Sequence, residues 1–342
     1  MGTAWRAKLP ARRRMRHDAT FNRMSEVPQS VVRPDPGKTV TTASFGVSGM
    51  VAPLRRVAMR RPGRATLEAD PARWHYAGPI EPDRLLRQYD AFAACVAASG
   101  AEVEWIGGGA DDGLADAMFP FDPSFMTPAG AILLRPGKKL RQREVASHKA
   151  LYRRLGLPVI GTLETPGAAE GGDLMWIDDA TIAVGRGFRT NQAGIDQLRG
   201  ILSPLGIDLL AFDLPVWQGS AACLHLLSLV SPLDRDLALV YPRLFPVALY
   251  ELMRARGIRI LEAGDEEFHA SGGLNLNVLA TAPRQCIALD GFPGTRRLMS
   301  EAGCDVTCFR GDALCIACEG GPTCLTLPIL RDDRSPAPET TP

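Results

Sequence analysis

Cys324 and His225 are the two residues of this sequence best suited to covalent chemistry. Cys324 stands in EGGPTCLTLPI (319–329), between a glycine-rich turn and a short apolar segment, and His225 stands in CLHLLSLV (223–230). A free thiol has a pKa of about 8.5, and a nearby imidazole or a cationic substrate favours the nucleophilic thiolate. An imidazole can also protonate a leaving group and later deprotonate water. The pair alone is a weak signal, because a thiol protease would show it too.

Two carboxylates narrow the chemistry. Asp122 and Glu170 precede short apolar strands, as His225 and Cys324 do, and Asn275 is the polar residue of a further loop of this kind. Each carboxylate can accept paired N–H donors, which a planar cation offers and a peptide bond does not need. A Cys–His pair accompanied by two carboxylates therefore predicts a pocket for a planar cation, best interpreted as a guanidinium.

The loops that hold these residues belong to a unit that recurs five times. Each unit has an apolar strand, a helix with apolar residues at three- and four-residue steps, a glycine, a second strand, a polar loop and a third strand. The apolar residues that show this helical spacing are Leu85, Tyr89 and Phe92 in the first unit and Leu244, Leu249 and Leu252 in the fourth.

A glycine ends each predicted helix, since glycine adopts the left-handed cap most readily. Successive capping glycines lie 56, 50, 51 and 46 residues apart. Units of this kind bury their apolar faces only against neighbours, and a ring of five leaves no unpaired end. The five polar loops would then meet at one mouth, where a site draws residues from every loop. The glycines are Gly100, Gly156, Gly206, Gly257 and Gly303.

Composition excludes several classes of function. The chain has 342 residues, 46% hydrophobic and 23% charged, with a net charge of +1. This near-neutral balance gives no field for nucleic acid or acidic membranes, and no run of about 18 apolar residues would span a bilayer. The arginine-rich start lacks the apolar stretch of a secretory signal. We expect solvated, disordered tails at residues 1–44 and 331–342 and one catalytic domain at 45–330.

The eight cysteines indicate free thiols in a reducing compartment, which predicts a cytoplasmic protein. Four of them are close enough in sequence to suggest a zinc site. Their surroundings, CDVTCF and ALCIAC, are typical of apolar strands rather than of the turns that hold structural zinc. We therefore expect small buried side chains and no metal at Cys304, Cys308, Cys315 and Cys318.

Six segments occur in the order seen in the guanidino-group-modifying superfamily, and the chain resembles that superfamily over about residues 45–330. The superfamily includes arginine deiminases, amidinotransferases and dimethylarginine dimethylaminohydrolases. The resemblance implies a five-bladed α/β-propeller (pentein) of ββαβ repeats with pseudo-five-fold symmetry, a small guanidino substrate, and no metal or organic cofactor. The segments are DAMFPFDPSF, RPGKKLRQRE, EGGD, FRTN, CLHL and GGPTCLTLPI.

The resemblance also implies catalytic roles. Cys324 would attack the guanidinium carbon and form a covalent thiouronium-type adduct. His225 would protonate the departing amine and then activate water. Asp122 and Glu170 would hold the guanidinium nitrogens.

Five further residues match substrate-binding positions of the superfamily. Arg141 and Arg189 match positions that bind an amino-acid carboxylate. Asp116 matches one near the substrate's α-amino end, and Phe119 matches a residue that lines the pocket. Asp173, in EGGD, is expected to brace its loop rather than to touch substrate.

Two departures bear on the branch of the superfamily. Leu227 stands where deiminases and amidinotransferases carry an acidic residue, which favours the dimethylarginine hydrolase branch. Phe121 stands where mammalian-type hydrolases carry a glutamate, and an apolar side chain there would suit an alkylated guanidine. The sequence thus predicts hydrolysis of a methylated arginine to citrulline and an amine. The alternatives are arginine deiminase or dihydrolase activity, amidino transfer, or a non-catalytic arginine-binding protein, and a homodimer is compatible with each.

Overall fold

The structure is a computed structural model that describes residues 44–107, 113–219, 222 and 224–332. The predicted N-terminal tail, except its last residue, and all but the first two residues of the predicted C-terminal tail lie outside these ranges. The strands are β1 (Leu54–Met59), β2 (Glu102–Trp105), β3 (Ser124–Thr127), β4 (Gly130–Leu133), β5 (Val159–Thr162), β6 (Leu174–Asp178), β7 (Thr181–Arg186), β8 (Asp208–Asp213), β9 (Val230–Asp234), β10 (Leu237–Val240), β11 (Arg259–Glu262), β12 (Leu279–Ala282), β13 (Gln285–Leu289), β14 (Asp305–Phe309) and β15 (Leu327–Arg331). The helices are α1 (Arg64–Leu67), α2 (Pro71–Trp74), α3 (Pro82–Ala98), α4 (Val145–Leu155), α5 (Gln192–Leu202), α6 (Val247–Ala255), α7 (Asp265–Ser271) and α8 (Pro293–Glu301).

The described strands form five sheets of three strands each, in a mixed α/β fold. In every sheet the central strand pairs antiparallel with one neighbour and parallel with the other. This repetition confirms the predicted unit of strand, helix, strand, loop and strand. The strand orders are β15-β1-β2, β3-β4-β5, β6-β7-β8, β9-β10-β11 and β12-β13-β14.

A helix connects the two parallel strands of each sheet, because parallel strands need a crossover connection. In α3 the residues Leu85, Tyr89 and Phe92 are 0% exposed, which confirms the apolar face that their spacing predicts. Burial of such a side chain contributes about 1.5–3 kcal/mol. The corresponding prediction for α6 was partly wrong, since Leu244 precedes the helix and is only half-buried.

The predicted capping glycines lie where the crossover helices end. Gly156 follows α4 with φ +67°, and its N–H donates to the carbonyl oxygen of Arg153 at 3.3 Å. Side chains are strained in this left-handed region, whereas glycine is not. All five predicted capping glycines have positive φ, and each lies one to four residues after the last residue of its helix.

The polar loops before the third strands are joined to one another by hydrogen bonds. In each case a backbone N–H of one loop donates to a carbonyl or side-chain oxygen of another of these loops or, for Ser231, of strand β9 that follows one of them. These bonds fix the positions of the residues that the sequence singles out. They run from Gly171 to Asp122 (3.1 Å), from Leu226 to Asp173 (3.0 Å), from Val278 to Ser231 (3.1 Å), from Thr323 to Asn277 (2.9 Å) and from Phe121 to Cys324 (3.4 Å).

The four cysteines that are close in sequence have little exposed surface, as the sequence predicts. Cys304, Cys315 and Cys318 are buried and Cys308 is half-buried, and none of the described cysteines forms a disulfide. The strand prediction for ALCIAC was wrong, because Asp312–Ile316 forms a π-helical turn. Among the described residues, no helix combines the length and the apolar character needed to cross a membrane.

Candidate active site

A pocket of about 230 Å³ collects most of the residues that the sequence singles out. Glu170 and Asp173 lie behind its wall, and both are 0% exposed. The predicted site residues that line the pocket are Cys324, His225, Asp122, Asp116, Phe119, Arg141 and Arg189.

Cys324 lies in the turn that follows Gly320 and Gly321. A side chain at Gly320 would overlap the ring of Phe119, so glycine is needed for this close approach. The Cys324 Sγ accepts a hydrogen bond from Nδ2 of Asn277 at 3.1 Å. Burial, and then the negative charge of Asp122, raise the pKa of the Cys324 thiol to about 11, although Asn277 opposes the shift. Without a ligand the thiol is therefore protonated at neutral pH.

The imidazole of His225 is held by Glu170. Its Nε2 lies 2.7 Å from Glu170 Oε2, and a side chain at Gly172 would overlap the ring, so this glycine leaves room for it. Glu170 also accepts bonds from Arg189 Nη1 at 3.0 Å and from the Lys138 backbone N–H at 3.1 Å. Burial opposes ionisation of Glu170, but the hydrogen bond to His225 and the charge of Arg189 lower its pKa overall. The ionised carboxylate would stabilise an imidazolium at His225.

Asp122 lies between His225 and the buried Arg141. Its Oδ1 accepts the Gly172 N–H at 2.9 Å and lies 4.0 Å from Nδ1 of His225. Its Oδ2 pairs with Nη1 of Arg141. The carboxylate of Asp122 thus pairs with a cation of the protein and also lines the pocket.

Arg141 makes more contacts inside the protein than its predicted role requires. The side chain is 5% exposed, pairs with Glu144 Oε2 at 2.9 Å, and donates to the Phe119 carbonyl oxygen at 2.7 Å. Burial raises the pKa of Glu144 to about 7, while the charge of Arg141 opposes that shift. The structure thus gives Arg141 a bracing position beside Asp122, and its predicted contact with a substrate carboxylate stays a prediction.

Asp173 lies where the sequence predicts a brace. Its Oδ1 accepts the Leu226 N–H at 3.0 Å, and its Oδ2 accepts the Thr190 hydroxyl at 2.6 Å. Leu226 is the residue after His225, so this contact helps to position the imidazole. Burial raises the pKa of Asp173 to about 6.

We expect Asp173→Ala to lower the free energy of unfolding by about 2–4 kcal/mol, because it leaves a buried N–H and a buried hydroxyl without an acceptor. The raised pKa of Asp173 means that its contribution is largest below the unfolded-state pKa and decreases as the pH rises through about 6. Urea denaturation should therefore show a larger difference from the unsubstituted protein at pH 5 than at pH 8. Asp179→Ala, at an exposed site just after β6, is the control. A difference that grows towards pH 8 would contradict this account.

Phe121 and Leu227 line a different cavity from the one that contains Cys324. This second cavity, of about 40 Å³, is mostly apolar and lies behind the site. Phe121 is 7% exposed and Leu227 is 5% exposed, and both belong to one hydrophobic cluster. The two departures from the superfamily pattern are therefore packed together. Direct contact of Phe121 with a substrate's alkyl group is an expectation that this placement does not support.

Asp122, Glu170 and His225 each offer a ligand atom, and these atoms lie within 4.8 Å of one another. Such a set could hold a metal ion. Arg141 already pairs with Asp122 and Arg189 with Glu170, however, and these cations supply the charge that a metal would bring. We interpret the three residues as acid–base and substrate-binding groups.

The pocket residues that the sequence analysis did not select include Trp74, Lys138, Asn277 and Glu319. It selected Asn275, which bonds to Ser271 and Thr295 and does not itself line the pocket. Asn277 follows two positions later in the same GLNLNV segment, so the loop was identified and the wrong amide chosen. Lys138 belongs to the RPGKK segment that the sequence did single out.

The sequence matches the family model for arginine deiminase over residues 112–256. It is 37% identical over 178 residues to a dimethylarginine dimethylaminohydrolase of Streptomyces coelicolor, covering 49% of this chain and 65% of that protein. A cysteine-to-serine variant of the Pseudomonas aeruginosa dimethylarginine dimethylaminohydrolase, solved with citrulline, has a TM-score of 0.65 at 20% identity. That match covers 80% of this chain and 99% of the other. An amidinotransferase of saxitoxin biosynthesis from Microseira wollei has a TM-score of 0.68 at 15% identity, covering 86% and 99%.

In sequence and in fold the chain is similar to proteins of the guanidino-group-modifying superfamily. Its relatives by sequence include dimethylarginine dimethylaminohydrolases and arginine deiminases. The chain spans about two thirds of the length of the Streptomyces relative.

Proposed function

We propose that this protein hydrolyses the guanidino group of methylated arginine, giving citrulline and an amine through a covalent adduct on Cys324. The observation that carries the proposal is the placement of Cys324, His225 and Asp122 on one pocket, with Glu170 bonded to the imidazole. The relatives' names support the same class of substrate.

In the first step, the guanidinium binds with its N–H groups on Asp122. The positive charge of the substrate offsets the negative charge that raises the pKa of Cys324, so binding favours the thiolate. The thiol proton passes to His225. Sulfur then forms a bond to the guanidinium carbon. His225 returns the proton to the methylated terminal nitrogen as the bond between that nitrogen and the guanidinium carbon breaks. The amine leaves, and a thiouronium remains on Cys324.

In the second step, water replaces sulfur at the same carbon. His225 takes a proton from the water as the C–O bond forms, and Glu170 stabilises the resulting imidazolium. The C–S bond breaks, the thiolate leaves and takes up the proton of the new hydroxyl, and the ureido product keeps the oxygen. His225 releases its proton to solvent, where the departed amine binds one. The protein ends in its starting state and needs no cofactor for this sequence.

We expect dimethylarginine or monomethylarginine to be hydrolysed with a kcat/KM roughly tenfold or more above that of arginine, since an unpaired buried N–H costs about 1–3 kcal/mol. Asp122 shares its carboxylate with Arg141, which leaves few acceptors for a bare guanidinium. A methylated nitrogen has fewer donors, and each buried carbon adds about 0.8 kcal/mol. Product assays on the three substrates and guanidinobutyrate measure this preference. Arginine as the best substrate, with ammonia released, would indicate a deiminase instead.

We further propose that the five sheets close into the α/β-propeller that the resemblance implies, with pseudo-five-fold symmetry. The support is the set of five loop-to-loop hydrogen bonds, of which the bond from Phe121 to Cys324 joins the last loop to the first. A crystal structure in which the β15 and β3 loops are separated would contradict closure.

The remaining expectations stay proposals. One of them is a single catalytic domain at residues 45–330. Arg331 ends β15 and donates to the carbonyl oxygens of Ala52 and Ala280, so the test is removal of residues 1–43 and 333–342, which should leave the assayed activity. The described free cysteines suit a reducing cytoplasm, which cell fractionation would test. Light scattering would decide between a monomer and a homodimer.

A further inference from the structure

One part of the pocket contains a carboxylate that the protein's own lysine already neutralises. Asp116 Oδ2 lies 2.6 Å from Nζ of Lys138, and Asp116 is 4% exposed. The same ammonium donates to the Trp74 carbonyl oxygen at 2.6 Å and lies 5.4 Å from the centre of the Trp74 ring. Nε of Arg141 is 3.9 Å from the same Asp116 oxygen. Asp116 therefore has two resident cations beside it.

A second carboxylate lines the same pocket without such a partner. Among the described residues, no hydrogen bond or ion pair reaches the carboxylate of Glu319, although Lys138 and Arg189 are near enough to affect its charge. Glu319 is an exposed residue, although the protein atoms around its carboxyl raise the pKa, with Lys138 opposing the shift. Its carboxylate is thus accessible from the pocket and has no fixed partner among the described residues.

The position of Glu319 is set by its backbone. Its φ is +59°, in the left-handed region that side chains rarely adopt, and residues hold that region at a cost that surrounding structure must offset. The next residue, Gly320, packs against Phe119, and Gly321 packs against Asn277. The loop that carries the nucleophile Cys324 thus also fixes Glu319 at the pocket.

We propose that Glu319, and not Asp116, binds the α-ammonium group of the amino-acid substrate. This inference rests on the proposed function, since it names the residue that recognises one end of the proposed substrate. Lys138 occupies Asp116, so an incoming ammonium would have to displace a cation already held by a carboxylate and a carbonyl oxygen. Glu319 offers a charge-assisted hydrogen bond without that displacement.

The test compares ligands that differ only in the ammonium group. Arginine and 5-guanidinopentanoate share a guanidinium, a carboxylate and the chain between them, and 5-guanidinopentanoate lacks the α-ammonium. Calorimetric titration of the Cys324→Ser protein gives the Kd of each ligand without turnover. We expect Glu319→Gln to weaken arginine roughly 10- to 100-fold and to change the Kd of 5-guanidinopentanoate less than about threefold. Glu301→Gln, at an exposed site at the end of α8, should change neither.

A second variant tests whether Asp116 can bind the α-ammonium once Lys138 is removed. In the Glu319→Gln background, Lys138→Met removes the nearer of the two cations beside Asp116, and the preference for arginine over 5-guanidinopentanoate should return in part. Equal weakening of both ligands by Glu319→Gln would assign it a structural role in the loop and overturn the proposal. So would an unchanged arginine Kd, or tighter binding of 5-guanidinopentanoate than of arginine by the protein with Glu319 intact. Because binding is measured, failure of hydrolysis would count against the proposed function alone.

Discussion

Cys324→Ser is expected to lower kcat for the methylarginine substrate by at least about 10⁴-fold, to the limit of detection. The surroundings of Cys324 do not favour its thiolate, because burial and the charge of Asp122 raise the pKa of the thiol to about 11. A serine hydroxyl is a far weaker acid, and the bound cation cannot lower its pKa enough to supply an alkoxide. Sulfur is also the better leaving group in the second step, so both halves of the reaction would stop.

The measurement is a citrulline assay combined with intact-mass analysis of the protein. Cys318→Ser is the matched control, because Cys318 lines the same pocket and has no role in the proposed chemistry. It should keep turnover within about tenfold of the unsubstituted enzyme, with the loss confined to packing. Equal loss in both variants, with far-ultraviolet circular dichroism unchanged, would mean that the pocket needs thiols for a reason other than nucleophilic attack.

The titration of Cys324 is a related test of the same thiol. Thiolate absorbance at 240 nm, taken as the difference between the unsubstituted protein and Cys324→Ser, should rise only well above the ordinary thiol range in the absence of ligand. A guanidinium ligand should shift that rise to lower pH, because it offsets the charge of Asp122. A thiol that titrates near pH 6 without ligand would exclude activation by the substrate's charge.

The repeat could be predicted because its local signals are strong. Apolar spacing in α3 and glycine at the end of α4 have direct physical causes, and both recur in each unit. The failures occur where tertiary contacts override local pattern. ALCIAC has strand-like composition but forms a π-helical turn, whose Ala313 and Leu314 N–H groups donate to the Gln88 side chain from α3. No local signal in the sequence shows that contact.

The residue types of the site were predictable, and their pairing was not. Asp122 and Glu170 look from the sequence like two acceptors open to a cation. The structure pairs the first with Arg141 and the second with Arg189 and His225. Such pairings depend on which side chains of distant loops share a wall. The choice of Asn275 over Asn277 failed for a similar reason, since only the three-dimensional loop shows which amide reaches Cys324.

His225→Ala is expected to lower kcat for methylarginine by about 10³- to 10⁴-fold, because the variant loses the acid of the first step and the base of the second. S-methyl-L-thiocitrulline separates the two roles, since its methanethiol leaving group departs without a proton from the protein. With this compound the first step should proceed in His225→Ala, and an adduct should accumulate on Cys324 that intact-mass analysis detects. Added imidazole should speed release of the adduct. Glu170→Gln keeps the shape of the residue that bonds to His225. It should lower kcat less than His225→Ala does and should change the pH profile of kcat. Rapid release of the adduct from His225→Ala without imidazole would show that another group activates water.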